Sequence, residues 1–358
     1  VTGEVPPIYF YIPEEKIPRD MPSPQDAYED VYWQGFSEGI YCWTLRTYLY
    51  LRAVGFPCQL IGHIPSEGMV LAHQKSLPID LKPNPKLLIV CLQADRGRHP
   101  YAQIHVVQNP RLTKPRILGD RYLLPARENL YMPLWPQSGI IPRDRARGSL
   151  FENVAFFGLE INLALELSKP SWSNAIADLG LRWQIINSDR WHDYSDVDVV
   201  LAVRDFGKPD TAWDFKPATK LFNAWHAGVP AILGCESAYR GERKSELDFV
   251  EVKSLNETIA ALKRLRDDRA LRQAMVEHGW LRAQETQRDA MIQRWKTLMN
   301  ERLIPAYENW CNSSWYRQSF WLRRQLATQT LEKRKSVQKL RNLLGIRSRM
   351  RSLLSKSS

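Results

Sequence analysis

Lys216-Pro217-Ala218-Thr219-Lys220-Leu221-Phe222-Asn223-Ala224-Trp225-His226-Ala227-Gly228-Val229-Pro230-Ala231-Ile232-Leu233-Gly234 reads as a short helix that feeds at once into a buried strand. Pro217 suits the first helical position, where its missing N–H costs nothing, and Gly228 suits the left-handed residue that ends the helix. The first turn leaves amides unpaired and carries the positive end of the helix dipole, so an anion placed there meets donors already aimed at it. Lys216 and Lys220, four residues apart, fall on one face beside the Thr219 hydroxyl and repel each other unless an anion or water lies between them. A diphosphate relieves that repulsion. The plain alternative is a solvated lysine pair.

Outward from this stretch the chain alternates strands and helices. Asn153-Val154-Ala155-Phe156-Phe157-Gly158 is a strand ending on glycine, followed by a helical pattern from Glu160 to Leu167. Asp196 to Val203 and Leu247 to Val252 read as further strands, and Ser254-Leu255-Asn256-Glu257 has capping-box spacing ahead of a helix. Helical periodicity resumes from about Arg269 through Glu301. The first half alternates in the same way: strands at Ile8 to Ile12, Cys58 to Ile64, Lys86 to Leu92 and Gln103 to Gln108, with a helix from about Ile40 to Val54. This order predicts parallel sheets with crossover helices. Pro125, Pro133, Pro136 and Pro142 mark the interval from Pro110 to Arg147 as an interdomain linker.

The chain has 358 residues, enough for about two domains, and its apolar content of 44% suits a globular protein. No window reaches the roughly 18 to 20 apolar residues that span a bilayer, and Val1 to Pro13 lacks the pattern of a signal peptide. The expected location is cytoplasmic. Five scattered cysteines, Cys42, Cys58, Cys91, Cys235 and Cys311, suggest buried free thiols rather than disulfides or a zinc site. The net charge of +11 belongs to the end of the chain: residues 311–358 hold twelve Lys or Arg against one Glu, leaving 38 basic and 38 acidic residues before them.

The segment from Asn153 to about Met299 resembles the donor-binding domain of glycosyltransferases with the GT-B fold. The resemblance rests on Val154 to Gly158, Asp198 to Arg204, and above all Lys220-Leu221-Phe222-Asn223-Ala224 with Ala227-Gly228-Val229-Pro230 to Gly234. It implies an α/β architecture of two Rossmann-like domains facing across a cleft, with a basic C-terminal helical tail. The expected boundaries are residues 1–145 (acceptor domain), 146–310 (donor domain) and 311–358 (aromatic and basic tail). Two departures stand out. Phe215 and Asn223 occupy the positions where many retaining members carry two glutamates, and Ala218-Thr219-Lys220 lacks the glutamate of the Thr-Glu-Lys found in fucosyltransferases.

The activity so implied is transfer of a sugar from a nucleotide-diphosphate sugar, with no further cofactor, to a glycan or lipid-linked acceptor. That chemistry needs charge stabilisation on the departing diphosphate and a placed acceptor hydroxyl. Gly158, Arg204, Lys216, Thr219 and Lys220 are the diphosphate candidates, and such fixed cations would make a metal unnecessary; Arg204 also reads as a surface ion-pair residue. Asn223, Glu236, Ser237 and Tyr239 are candidates for the ribose and base, the last three equally well a polar helix start. His73, Asp95 and His105, with His99 beside them, are candidates for a general base or for structural roles. Asp196-Val197-Asp198 matches the metal-binding Asp-x-Asp of the other main glycosyltransferase fold, but it leads into a strand and reads as the strand's entrance.

Trp310, Trp315, Tyr316, Phe320 and Trp321 precede the heaviest run of cations, and such a stretch can pack against the first domain. Beyond Lys333 the apolar residues among the cations suit a helix on an anionic membrane surface, at the inner face of the membrane. The same charges would hold nucleic acid, the less favoured partner, or remain solvated. A second reading of the whole chain is a binding module without catalysis, in which a degenerate GT-B body carries this tail.

Overall fold

The computed structural model describes residues 6–113 and 129–325. Strands β1 (Ile8–Tyr11), β2 (Gln59–Ile61), β3 (Gly68–His73), β4 (Leu87–Leu92), β5 (Ile104–Val107) and β6 (Asn129–Tyr131) form one sheet in the order β2-β1-β3-β4-β5-β6. A second sheet, ordered β11-β10-β9-β7-β8, holds β7 (Asn153–Phe157), β8 (Arg182–Ile186), β9 (Val199–Ala202), β10 (Ala231–Gly234) and β11 (Val250–Val252). All these pairings are parallel. Every residue of β3, β4, β5, β7, β9 and β10 is buried, as parallel strands covered on both faces must be.

Helices α1 (Pro24–Tyr28) and α2 (Arg46–Ala53) accompany the first sheet. Helices α3 (Pro170–Asp178), α4 (Thr219–Ala227), α5 (Ser237–Glu242), α6 (Leu255–Asp267) and α7 (Arg269–Ala283) accompany the second. Helices α8 (Arg288–Leu298) and α9 (Ile304–Asn312) then return to the first sheet, as does a helix over 314–325. Trp295, Trp310 and Phe320 are buried in one core with Phe10, Trp43 and Val90. Two Rossmann-like domains therefore face one another across a cleft, with the end of the described chain strapped to the first: a GT-B arrangement.

Several expectations need correction. Residues 288–310, grouped by sequence with the second domain, pack on the first. Helix α8 buries Met291, Ile292, Trp295 and Leu298, and Trp43 meets Trp295 edge to face. Helical periodicity reveals such a stripe without naming the sheet that receives it. The aromatic stretch after Cys311 does pack there, and Arg324 Nη2 donates to the Ala102 carbonyl at 2.7 Å. The tail beyond residue 325, with its membrane and nucleic-acid readings, lies outside the described residues. Within the expected linker, Asn129–Tyr131 is an edge strand on β5. The pattern over Glu160 to Leu167 forms two 3-10 turns, and the helix starts instead at Pro170. Helix α4 begins at Thr219, with Ala218 as its cap, so Pro217 lies just outside; Gly228 closes it at φ 69° as expected.

Candidate cleft site

A cavity of about 300 Å³ lies between the domains, at the carboxyl ends of strands from both sheets. This is where open parallel sheets place ligands. From the second domain Gly158, Arg204, Lys216, Thr219, Lys220 and Asn223 line it. All five diphosphate candidates are thus brought together. From the first domain come the segment Phe36 to Trp43, Asp95, Gln108 and Trp135.

Lys220 stands at the first turn of α4 over the Phe156 ring, 5.3 Å from its centroid, and a Cβ at Gly158 would lie 3.4 Å from its Nζ. The closer contact of such a Cβ would be with the Phe156 ring, at 3.0 Å. Lys220 forms no ion pair among the described residues. Burial first, then the charges on Arg204 and Lys216, lower its pKa to about 7, with Glu236 opposing. Beside it the Thr219 Oγ1 is buried and has no hydrogen-bond partner among the described residues. A buried hydroxyl without a partner thus lies beside a buried lysine without a counter-ion among the described residues.

Arg204, just past β9, donates Nε to Glu236 Oε2 at 3.1 Å, with both side chains largely buried. Burial raises the Glu236 carboxyl against the pull of Arg204 and Lys220, and its Oε1 has no partner. Glu236 sits behind Arg204 rather than in the cavity wall, so it positions the guanidinium instead of meeting a ribose.

Lys216 does not share a helix face with Lys220, because it precedes α4. Its Nζ reaches across the cleft to Asp95 Oδ2 at 2.7 Å. The hydrogen bond and charge from Lys216 hold the Asp95 carboxyl below its ordinary range despite burial. Asp95 and Lys216 thus form a clasp between the domains inside the cavity.

The histidines are differently employed. His73, at the end of β3, accepts the Lys75 N–H on Nδ1 at 3.1 Å, which leaves the ring proton on Nε2. Burial and the Lys75 charge depress its pKa to about 4. With its acceptor nitrogen engaged it is not placed as a base, and its Nε2 backs Gly39, where a Cβ would approach within 3.2 Å. His105 is fully buried between Arg98 and the His99 carbonyl, and His99 bonds the Pro78 carbonyl. Both are structural.

Two more of the ribose candidates, Tyr239 and Ser237, lie outside the cavity lining. Tyr239 is buried against Phe249 in the core, and burial pushes its hydroxyl far above the ordinary value. Ser237 donates to Asp214 at 2.6 Å and accepts from Asn109 of the first domain at 2.9 Å, tying the domains together. Asn223 reaches the cavity, but its Oδ1 accepts the Gln137 N–H at 2.9 Å. The Asp-x-Asp pattern is a strand entrance as read: Asp198 accepts from Arg143, Arg147 and the amides of Glu152 and Asn153.

Sequence reasoning passed over Gln108, Trp191 and the turn at Ser37 and Gly39, all of which line the cleft. Gln108 directly follows β5, and the strand-end rule would have found it. Trp191 follows β8, a strand that carries Arg182 and Gln184 and so lacks an apolar run. Ser37 and Gly39 lie at the start of the helical segment 39–53, which points its first turn into the cleft from the opposite side to α4.

No family model matches the sequence, and comparison with curated proteins finds no match. Solved structures do align. A sucrose-phosphate synthase from Thermosynechococcus elongatus is 14% identical, with 66% of this chain and 74% of that chain covered and a TM-score of 0.42. Anabaena HepE in complex with UDP-glucose is 10% identical over 83% of this chain and 100% of that chain, at a TM-score of 0.44. The pneumococcal O-GlcNAc transferase GtfA in complex with UDP and GlcNAc is 11% identical over 61% of this chain, at a TM-score of 0.43, and the chain spans about half (53%) of that protein's length.

Proposed function

We propose that the protein is a glycosyltransferase that uses a nucleoside-diphosphate sugar, with the diphosphate seated on Lys220, Thr219, Arg204 and the backbone at Gly158. The observation that carries this reading is the convergence, at one strand-end cavity, of an unpaired lysine, an anchored arginine and a partnerless hydroxyl. Fixed cations and the first-turn amides of α4 would stabilise the charge that builds on the leaving diphosphate without a metal. The acceptor, a glycan or lipid-linked hydroxyl, would enter from the first-domain wall.

The clasp suggests how donor and base are linked. A diphosphate attracts Lys216 more strongly than one carboxylate does, so binding would take Lys216 from Asp95. The released carboxylate would then face the cavity from the acceptor side, its pKa rising back toward the ordinary range, in place to take the proton of an attacking hydroxyl. The hydrogen bonds that engage His73 Nδ1 and both ring nitrogens of His105, the expected alternatives, favour Asp95 over them.

The test is turnover: incubate the protein with a panel of nucleotide sugars and acceptors, measure released nucleoside diphosphate, and use Lys220→Ala as the control. Release that depends on Lys220 supports the proposal. Binding of a nucleotide sugar without turnover of any donor would favour the reading of a non-catalytic module.

Two further outcomes follow from the geometry. Asp95→Asn removes the competitor for Lys216, so calorimetry should find nucleoside-diphosphate affinity increased several-fold while kcat falls by about a hundredfold, the loss of a general base. If kcat is unchanged, Asp95 is only a clasp. Glu236→Ala releases Arg204 from its anchor and should raise the donor KM about tenfold, the scale of one misplaced charged hydrogen bond. An unchanged KM would show that Arg204 holds its place without Glu236.

A further inference from the structure

A second cavity, of about 390 Å³, lies at the opposite end of the second sheet from the cleft, by the residues that precede β9 and β10. Arg143, Arg145, Arg269 and Arg272 line it, and the carboxylate among its lining residues is Asp198. That carboxylate is already committed to Arg143, Arg147 and two backbone amides. Arg272 braces the turn between α6 and α7 through the Leu265 and Arg266 carbonyls and ties it to the Ser149 carbonyl with Nη2. Arg145 and Arg269 have no ion pair among the described residues, and both are exposed. Burial, and then the nearby charges of Arg143 and Arg269, depress the Arg272 guanidinium, so the cations gathered here repel one another. Trp280 and Leu150, each about half exposed, form apolar lips.

We propose that this rear cavity binds a phosphate-bearing ligand, its phosphate oxygens shared between Arg145 and Arg269, with the charge of the carbonyl-bound Arg272 beside them, and its organic part lying against Trp280. Guanidinium groups arriving from two segments suit a tetrahedral oxyanion, because each offers paired N–H donors to two oxygens. The volume admits a small phosphate ester or the headgroup of a phospholipid, which present the same chemistry. The cavity is independent of the cleft. Strands β7 and β9 and helix α4 run from one to the other, with Phe151, Asp198 and Gly228 at the rear cavity and Gly158, Arg204 and Lys220 at the cleft, Lys220 and Gly228 being about 12 Å apart at 1.5 Å per residue.

The experiment uses the full chain carrying Lys220→Ala, which removes the unpaired lysine of the cleft, and inorganic pyrophosphate as probe in calorimetry. A second protein adds Arg145→Ala and Arg269→Ala, two exposed side chains whose loss should leave the melting temperature unchanged. Pyrophosphate should bind the first and bind the second at least about tenfold more weakly. The same pair is then tested for retention on phosphatidylcholine vesicles with and without phosphatidylglycerol. Vesicle retention unchanged by the arginine substitutions assigns the cavity to a free phosphate ester; retention lost with them assigns it to a lipid headgroup. Absence of pyrophosphate binding to the Lys220→Ala chain, or binding equal in the two proteins, overturns the proposal.

Discussion

Lys220→Met is expected to weaken nucleoside-diphosphate binding and kcat/KM by about a hundredfold or more while making the empty protein more resistant to heat at pH 6 to 7. The first effect follows from removing a cation aimed at the charge that forms on the leaving group, a class of change that costs about 10²–10³ in rate. The second follows from the same burial. Lys220 has a pKa of about 7 when folded, against an ordinary 10.5. A lysine depressed in the folded state binds fewer protons there than in the unfolded chain, so wild-type stability rises with pH between these two values. Below pH 7 both states are protonated, and the destabilisation is fully present. The advantage of methionine should therefore be largest below pH 7 and narrow toward pH 10. Melting curves across that range check it, and a difference that does not change with pH would remove the buried-ammonium argument. Donor affinity should run the other way with pH: a site that must protonate Lys220 to hold a diphosphate loses affinity as pH rises above 7. Calorimetry in buffers of different protonation enthalpy should register proton uptake on binding.

Asp198→Ala should cost about 3–5 kcal/mol, the usual result of removing one partner from a buried ion-paired network. Its carboxylate is almost wholly buried, 2.9 Å from Arg143 and 2.7 Å from Arg147, and it also accepts two backbone N–H groups. Truncation strands all four. Against a typical total of about 5–15 kcal/mol, that loss brings the protein close to unfolding. Asp196, paired at 3.7 Å with Arg190 and much more exposed, should cost under about 1 kcal/mol when replaced by alanine. Urea denaturation of the two variants distinguishes a strand entrance from a metal-binding pair, since a chelating pair would lose activity with either substitution and show no such asymmetry in stability. Arg147 and the two amides lower the Asp198 pKa from 3.8 in spite of burial. Its contribution is thus present above the unfolded value near 3.8 and lost as pH falls through the folded one. Equal destabilisation by the two variants would refute the structural role.

Much of the fold was legible in local pattern. The apolar runs of β4, β5, β7, β9 and β10 identify buried parallel strands, and Gly228 ends α4 as its sequence context requires. β3 escaped notice although Met69 to Ala72 is an apolar run like the others, and β8 because its residues are polar or half-buried at an exposed edge. In the candidate site, residues directly beside a strand end or helix start could be read, as Gly158, Arg204, Thr219 and Lys220 were. Ser237 and Tyr239 could not, since whether a residue after β10 faces the cleft or the neighbouring domain depends on how α5 meets Asn109 and Pro110.

What the sequence by itself determined is the α/β alternation, the charge concentrated after residue 310, and the helix start at Thr219 and Lys220, because these depend on neighbours within a few residues. Only the tertiary structure decided that Lys216 would reach Asp95 instead of joining Lys220, that α8 and α9 would belong to the first domain, and that His73 and His105 would be spent on hydrogen bonds. Each of those outcomes is a contact between segments far apart in the chain, set by which apolar faces bury together, and no local pattern of residues specifies it.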